Sequence, residues 1–140
     1  MNFLFDTSVL IEYLRDENGI TADALFKAST VGKCYISLVS VMELYKPNRP
    51  RKEVDDEVQR ICEISERLNM RIVYITRNAQ REAIAVVKNY YSNLGNSCVP
   101  DALIISTGIK RKAYVVTRND RSWSRTYSRV LTPEEVVKRF

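Results

Sequence analysis

The sequence predicts an α/β fold built on a twisted, mainly parallel sheet of four to five strands with helices on both faces. Three observations carry this. Short apolar runs rich in β-branched and aromatic residues recur along the chain, text with helical spacing separates them, and capping or breaking residues stand at the junctions. With 140 residues, 45% hydrophobic and 28% charged, the chain can bury about two-thirds of its unfolded surface. Residues 1–140 are therefore expected to form one domain that needs neither metal nor disulfide to fold.

Residues 2–5, NFLF, read as a first strand ending at Asp6, and SVLIEYLR follows with helical spacing through Val9 or Leu10, Tyr13 and Leu14. A polar break from Asp16 to Gly19 leads to Thr21, an expected N-cap for a helix carrying Ala24, Leu25 and Ala28 and stopping near Gly32. CYIS, 34–37, is a second strand. LVSVMELYK reads as a helix ended by Pro47 and Pro50, and a longer one is expected from Lys52 to Leu68, with Val54, Val58, Ile61 and Leu68 on one face. RIVYI, 71–75, is a third strand. A helix from Arg77 to about Tyr91 breaks at NLGNS, and helical text restarts behind Pro100 as DALIISTGIKRK. AYVVT, 113–117, is a fourth strand and RVL a short edge strand. Thr132, Pro133 and Glu135 then supply N-cap, N1 and N3 of a last helix.

Composition narrows the function. The opening segment lacks a basic n-region and carries Asp6 and Glu12 within its apolar stretch, so it reads as folded structure rather than a signal peptide. No run approaches the roughly 20 apolar residues that span a bilayer, and a soluble, cytoplasmic protein is expected. Cys34, Cys62 and Cys98 are odd in number, form no CxxC pair and have no histidine to complete a zinc site, so reduced thiols are expected. The absence of histidine also excludes imidazole acid–base catalysis and histidine-containing triads. A net charge of +5 favours polyanionic partners. Seven cations (Lys110, Arg111, Lys112, Arg118, Arg121, Arg125, Arg129) flank one acid between 110 and 129, with Tyr114, Trp123 and Tyr127 among them; a second basic group, Lys46 to Lys52, follows Glu43.

Four acids, Asp6, Glu43, Asp101 and Asp120, stand where apolar runs end or helices begin. Each has a local explanation: a cap at Asp6, a Ser40-x-x-Glu43 capping box, a helix dipole at Asp101, an Asn-Asp turn at Asp120. Together they point to a carboxylate cluster, since parallel sheets bind ligands at the carboxyl ends of their strands. Two carboxylates about 5 Å apart repel by roughly 3 kcal/mol at an effective dielectric near 20, so such a cluster calls for a cation. Mg²⁺ or Mn²⁺ takes hard oxygen ligands, polarises a phosphoryl oxygen and acidifies a bound water, which is the chemistry of phosphodiester hydrolysis. Ser8 and Thr117 have hydroxyls that could orient a metal-bound water, with ordinary strand-end hydrogen bonding the alternative. Trp123 and Tyr127 are candidates for base stacking, with packing on the sheet edge the alternative.

FDTSVLIEYL, SVMELYK and PDALIISTGIKRKAYVVTRND, with Trp123 soon after, resemble the PIN domain family over essentially the whole chain, and within it the VapC-type ribonuclease toxins of toxin-antitoxin pairs. The resemblance implies a PIN fold with the acids in a groove at the carboxyl edge of the sheet. Asp6 and Asp101 match its metal-ligand positions, and Glu43 its second acidic position. The place of the fourth acid, two residues after Thr117, is occupied by Asn119, with Asp120 one residue later. The resemblance further implies RNA as substrate, a homodimer, and a small antitoxin whose C-terminal segment crosses the groove; the basic runs make Lys46, Arg118, Arg121 and Arg125 candidate phosphate contacts, with a plain solvated face the alternative. The displaced fourth acid leaves two rivals: an RNA-binding or regulatory module of the same fold with weak catalysis, and a phosphatase-like or DNA-directed metallohydrolase.

Overall fold

The computed structural model describes residues 1–94 and 98–140. The chain alternates β1 (Asn2–Phe5), α1 (Thr7–Arg15), α2 (Ile20–Val31), β2 (Lys33–Ser37), α3 (Leu38–Met42), α4 (Arg51–Arg67), β3 (Arg71–Val73), α5 (Arg77–Leu94), α6 (Cys98–Lys110), β4 (Tyr114–Val116), α7 (Asp120–Trp123), β5 (Val130–Leu131) and α8 (Pro133–Arg139). All five strands run parallel in the order β3-β2-β1-β4-β5. The expected fold class is the observed one.

Alternation along the strands divides the core. Phe3 and Phe5 of β1, with Cys34 and Ile36 of β2, pack into a layer with Leu10, Leu25, Ile61 and Val136 from α1, α2, α4 and α8. Leu4, Tyr35, Val73 and Val115 point the other way, to Val86 of α5, Ile104 and Ile105 of α6 and Trp123 of α7. Phe3, Leu4 and Phe5 are wholly buried, and each stabilises the fold by roughly 1.5–3 kcal/mol. A strand buried on both faces reads as the continuous apolar run NFLF. Gly108 allows α6 to lie close on β4, because a methyl group there would overlap the side chain of Val115.

Several boundaries differ from expectation. Thr21 is not a cap; it lies within α2, behind Gly19, and its hydroxyl donates to Glu12 at 2.8 Å. The third helix stops at Met42, and its N-cap is Ser37, whose Oγ accepts from the Val39 N–H at 3.2 Å. Glu43 is thus a C-cap residue and the Ser40 capping box does not exist. β3 ends at Val73 rather than 75. α5 extends to Leu94 and α6 begins at Cys98, so the remainder of the expected NLGNS break, 95–97, lies outside the described residues. Thr132, Pro133 and Glu135 form the expected capping box. α4 and α6 close with Asn69 and Lys112 in the left-handed region, at φ 53° and 51°.

Candidate active site

Asp6 follows the last residue of the central strand, and its N–H donates to the Val116 carbonyl of the neighbouring strand at 3.0 Å. The start of α1 turns the chain there, so its carboxyl lies at the carboxyl edge between β1 and β4, 3% exposed. Two hydroxyls converge on one of its oxygens: Thr117 Oγ1 and Ser8 Oγ both donate to Oδ2 at 2.8 Å. Each hydroxyl is in turn an acceptor. The Arg118 N–H donates to Ser8 Oγ at 3.1 Å and the Asn119 N–H to Thr117 Oγ1 at 3.0 Å, so residues 117–119 wrap the acid. Ser8 and Thr117 thus act on the Asp6 carboxyl directly.

Glu43 arrives from the end of α3, and Thr7 Oγ1 donates to its Oε1 at 2.7 Å. Asp101 stands in the first turn of α6. A cavity of about 340 Å³ joins these acids; Asp6, Ser8, Glu43, Lys46, Asp101 and Asn119 line it, with Ile11, Leu94 and Trp123 as apolar wall. Asp120 does not line it. It opens α7 instead, so Asn119 is the residue that reaches the cavity.

The electrostatics mark an uncompensated acidic pocket. Burial raises the pKa of Asp6 despite its hydroxyl donors. Burial likewise raises that of Glu43, against the Thr7 hydrogen bond, and repulsion from Asp6 adds to the rise. Asp101 is pushed up to about 7 by burial and by repulsion from Asp6 and Glu43, with the Trp123 side chain acting the other way. Lys46 favours ionised Glu43. Among the described residues no three acids stand close enough to form a ready ion cage. A divalent cation can be held by one or two carboxylates, with waters or substrate phosphate in its remaining positions. The donors present are hard oxygens, and they fit.

The basic residues divide. Lys46 lines the cavity. Arg118 does not face it: its guanidinium donates to both oxygens of Glu12, at 2.7 and 2.6 Å, and to Glu134 at 2.5 Å. Arg118, expected as an RNA contact, forms a clamp joining the end of β4 to α1 and α8. Arg121 and Arg125 are exposed outside the cavity. Trp123, 1% exposed, is core rather than a stacking surface, and the hydroxyl of half-buried Tyr127 donates to the Ala113 carbonyl at 2.8 Å. Thr7, Ile11 and Ser122 are cavity residues that the sequence reading passed over, although Thr7 directly follows Asp6 in the DTS run.

The model of the PIN domain family matches residues 3–128. No match is found among curated proteins. Solved structures sharing the fold include VapBC2 from Rickettsia felis bound to a DNA fragment from its promoter, 16% identical, over 94% of this chain and 97% of that one with a TM-score of 0.74. A toxin-antitoxin complex from Klebsiella pneumoniae is 24% identical over 93% and 96%, with a TM-score of 0.69. FitAcB from Neisseria gonorrhoeae is 20% identical over 94% and 98%, also at 0.69. Among the described residues no helix is long and apolar enough to cross a membrane.

Proposed function

This chain belongs to the PIN domain family, and on that premise we propose that it is a Mg²⁺- or Mn²⁺-dependent endoribonuclease, the VapC-type toxin of a toxin-antitoxin pair. The observation that carries the reading is the meeting of Asp6, Glu43 and Asp101 in one cavity, where burial and then repulsion from Asp6 and Glu43 push Asp101 up to about 7. Three acids with one lysine for compensation leave negative charge that a divalent cation would neutralise.

Asp6 and Asp101 would hold the cation, with Glu43 the third acid beside it. When bound, the ion supplies Lewis acidity toward a phosphoryl oxygen and makes a neighbouring water more acidic. The chain's own residues do the rest. Ser8 and Thr117 fix the orientation of the Asp6 carboxylate, Thr7 fixes Glu43, and Asn119 takes the fourth position with Asp120 outside it. Lys46, at the cavity wall, is placed to meet a phosphate. Ile11, Leu94 and Trp123 keep one side of the site dry, which strengthens each of these interactions.

The structural neighbours named for their antitoxins support a small antitoxin as partner, and the toxin reading includes a homodimer acting in the cytoplasm. The test is hydrolysis of RNA, single-stranded DNA and small phosphoesters by purified protein with Mn²⁺. RNA cleavage that EDTA abolishes and Asp101→Asn removes is the expected result. Salt-sensitive RNA binding without turnover would establish the regulatory-module alternative instead.

A further inference from the structure

We propose that the amino edge of the sheet, with the adjoining hollow that brings Arg111 to the exposed ring of Tyr74, is a second face for single-stranded RNA, built from Lys33, Arg71, Arg111, Lys112 and Arg129. The choice of polyanion rests on the ribonuclease reading, and the site adds substrate contacts where no proposed catalytic acid lies.

A parallel sheet gathers every strand start on one edge, and here cations occupy those starts. Lys33 opens β2, Arg71 opens β3, Lys110, Arg111 and Lys112 precede β4, and Arg129 precedes β5. Register and contacts line them along this edge, Arg71 and Arg111 toward the Tyr35 face of the sheet and Arg129 toward the Tyr114 face. Lys33 pairs with Asn2, whose Nδ2 donates to the Arg111 carbonyl at 2.8 Å. Arg71 pairs with Tyr35, and the Arg111 guanidinium lies 4.5 Å over that same ring. Nη1 of Arg129 donates to the Lys112 carbonyl at 2.8 Å, and its guanidinium lies 5.7 Å from the Tyr114 ring centre. Among the described residues none of Lys33, Arg71, Arg111, Lys112 or Arg129 has a carboxylate within ion-pair distance. Lys110 has Glu82 at 3.5 Å, a solvent-exposed pair of the kind worth little. A net charge of +5 spread evenly would not do this; the cations are segregated from the acids by the direction of the strands.

Two details favour a single strand over a featureless polyanion. A cavity of about 300 Å³ joins the segment after β3 to the end of α6, lined by Tyr74, Thr76, Asn78, Thr107, Lys110 and Arg111, so a ring, three polar side chains and two cations meet in one hollow. Tyr74 is 73% exposed, which leaves a ring free for a base to stack on. Lys112 moreover keeps a charged side chain at a φ of 51°, where glycine or asparagine would cost less. From Asp101 to Lys110 is roughly 14 Å along α6 at 1.5 Å per residue, so only a strand longer than a few nucleotides reaches both ends.

The test is fluorescence anisotropy in EDTA, so that no turnover intervenes, with an unstructured RNA of roughly 20 nucleotides. Combined Lys33→Gln, Lys112→Gly and Arg129→Gln should weaken binding at least tenfold and flatten the plot of log K against log salt by about 2, near 0.7 per lost phosphate contact. Lys112→Gly relieves a strained backbone, so its loss of affinity does not come from misfolding. Tyr74→Ala should weaken binding by about fivefold or more, the lower end of single-base stacking. Because the assay reads binding without turnover, its outcome stays separate from whether the acidic cavity hydrolyses RNA. The proposal is overturned if the triple variant binds with wild-type affinity and salt slope, or if polyphosphate matches RNA and Tyr74→Ala changes nothing.

Discussion

The two walls of the acidic cavity are built on different principles. On the sheet side Asp6 is buried at the end of the central strand, with Thr117 and Ser8 each donating to Oδ2 at 2.8 Å and backbone N–H groups aligning both hydroxyls. On the helix side Asp101 has no such cradle; its protein neighbours chiefly penalise its charge, raising its pKa to about 7. One wall fixes the direction of its carboxyl with hydroxyl donors, while the other leaves its carboxyl without them; burial raises the pKa of both. In the ribonuclease reading, orientation comes from Asp6 and the need for a cation from Asp101.

That contrast is broken most severely at Asp101. Asp101→Asn is expected to lower RNA hydrolysis with Mn²⁺ by at least a thousandfold in single-turnover assays, since it removes a proposed ligand. The same change should stabilise the metal-free protein. A carboxyl whose folded pKa lies above its unfolded one holds its proton more tightly when folded, so the stability it contributes is complete below the ordinary value of 3.8 and lost as pH rises through about 7. Urea titrations without metal should therefore show wild type losing stability from pH 4 to 8, with Asp101→Asn flatter and more stable at pH 8 by about 1–3 kcal/mol after solvent screening at the cavity mouth.

Thr117→Val strikes the opposite wall. It removes a donor to a buried carboxylate and is expected to cost about 1–3 kcal/mol of stability, with Mn²⁺ affinity falling about 10- to 100-fold by calorimetry. Ser8→Ala should follow the same pattern less strongly, because Thr117 remains on Oδ2. The smallest effect is expected at Asp120→Asn, within about 0.5 kcal/mol in stability and a few-fold in hydrolysis, because Asp120 lies outside the cavity. Asn119→Ala, on the cavity wall, should exceed it in hydrolysis. A reversed order would return the fourth position to Asp120.

Most of the sheet was legible because both-face burial writes itself as uninterrupted apolar runs at NFLF, CYIS and AYVVT. Ends were harder. Ser37 and Ser40 are both good caps, and only the point where β2 leaves the sheet selects Ser37, which moves Glu43 from an N-terminal turn to a C-cap. Asp6 was legible because it follows the end of a strand, whereas Glu43 and Asp101 reach the cavity from helix ends and Asp120 stays outside it. What they touch was not, because partners such as Arg118 and Glu12 stand 106 residues apart and meet only through the fold. A cation beside Asp120 looks like an RNA contact until the carboxylates facing it are known. Trp123 misled in the same way, since a basic, aromatic segment and a buried indole share one text.

The strand order gives Asp6 a further property. β1 lies in the middle of five strands, paired on both sides, so its amides open only when the whole sheet does. Hydrogen exchange along Phe3 to Phe5 should be the slowest in the molecule. The acid at its end therefore has the lifetime of the native state itself: local fraying does not unmake it, and only global unfolding erases its position.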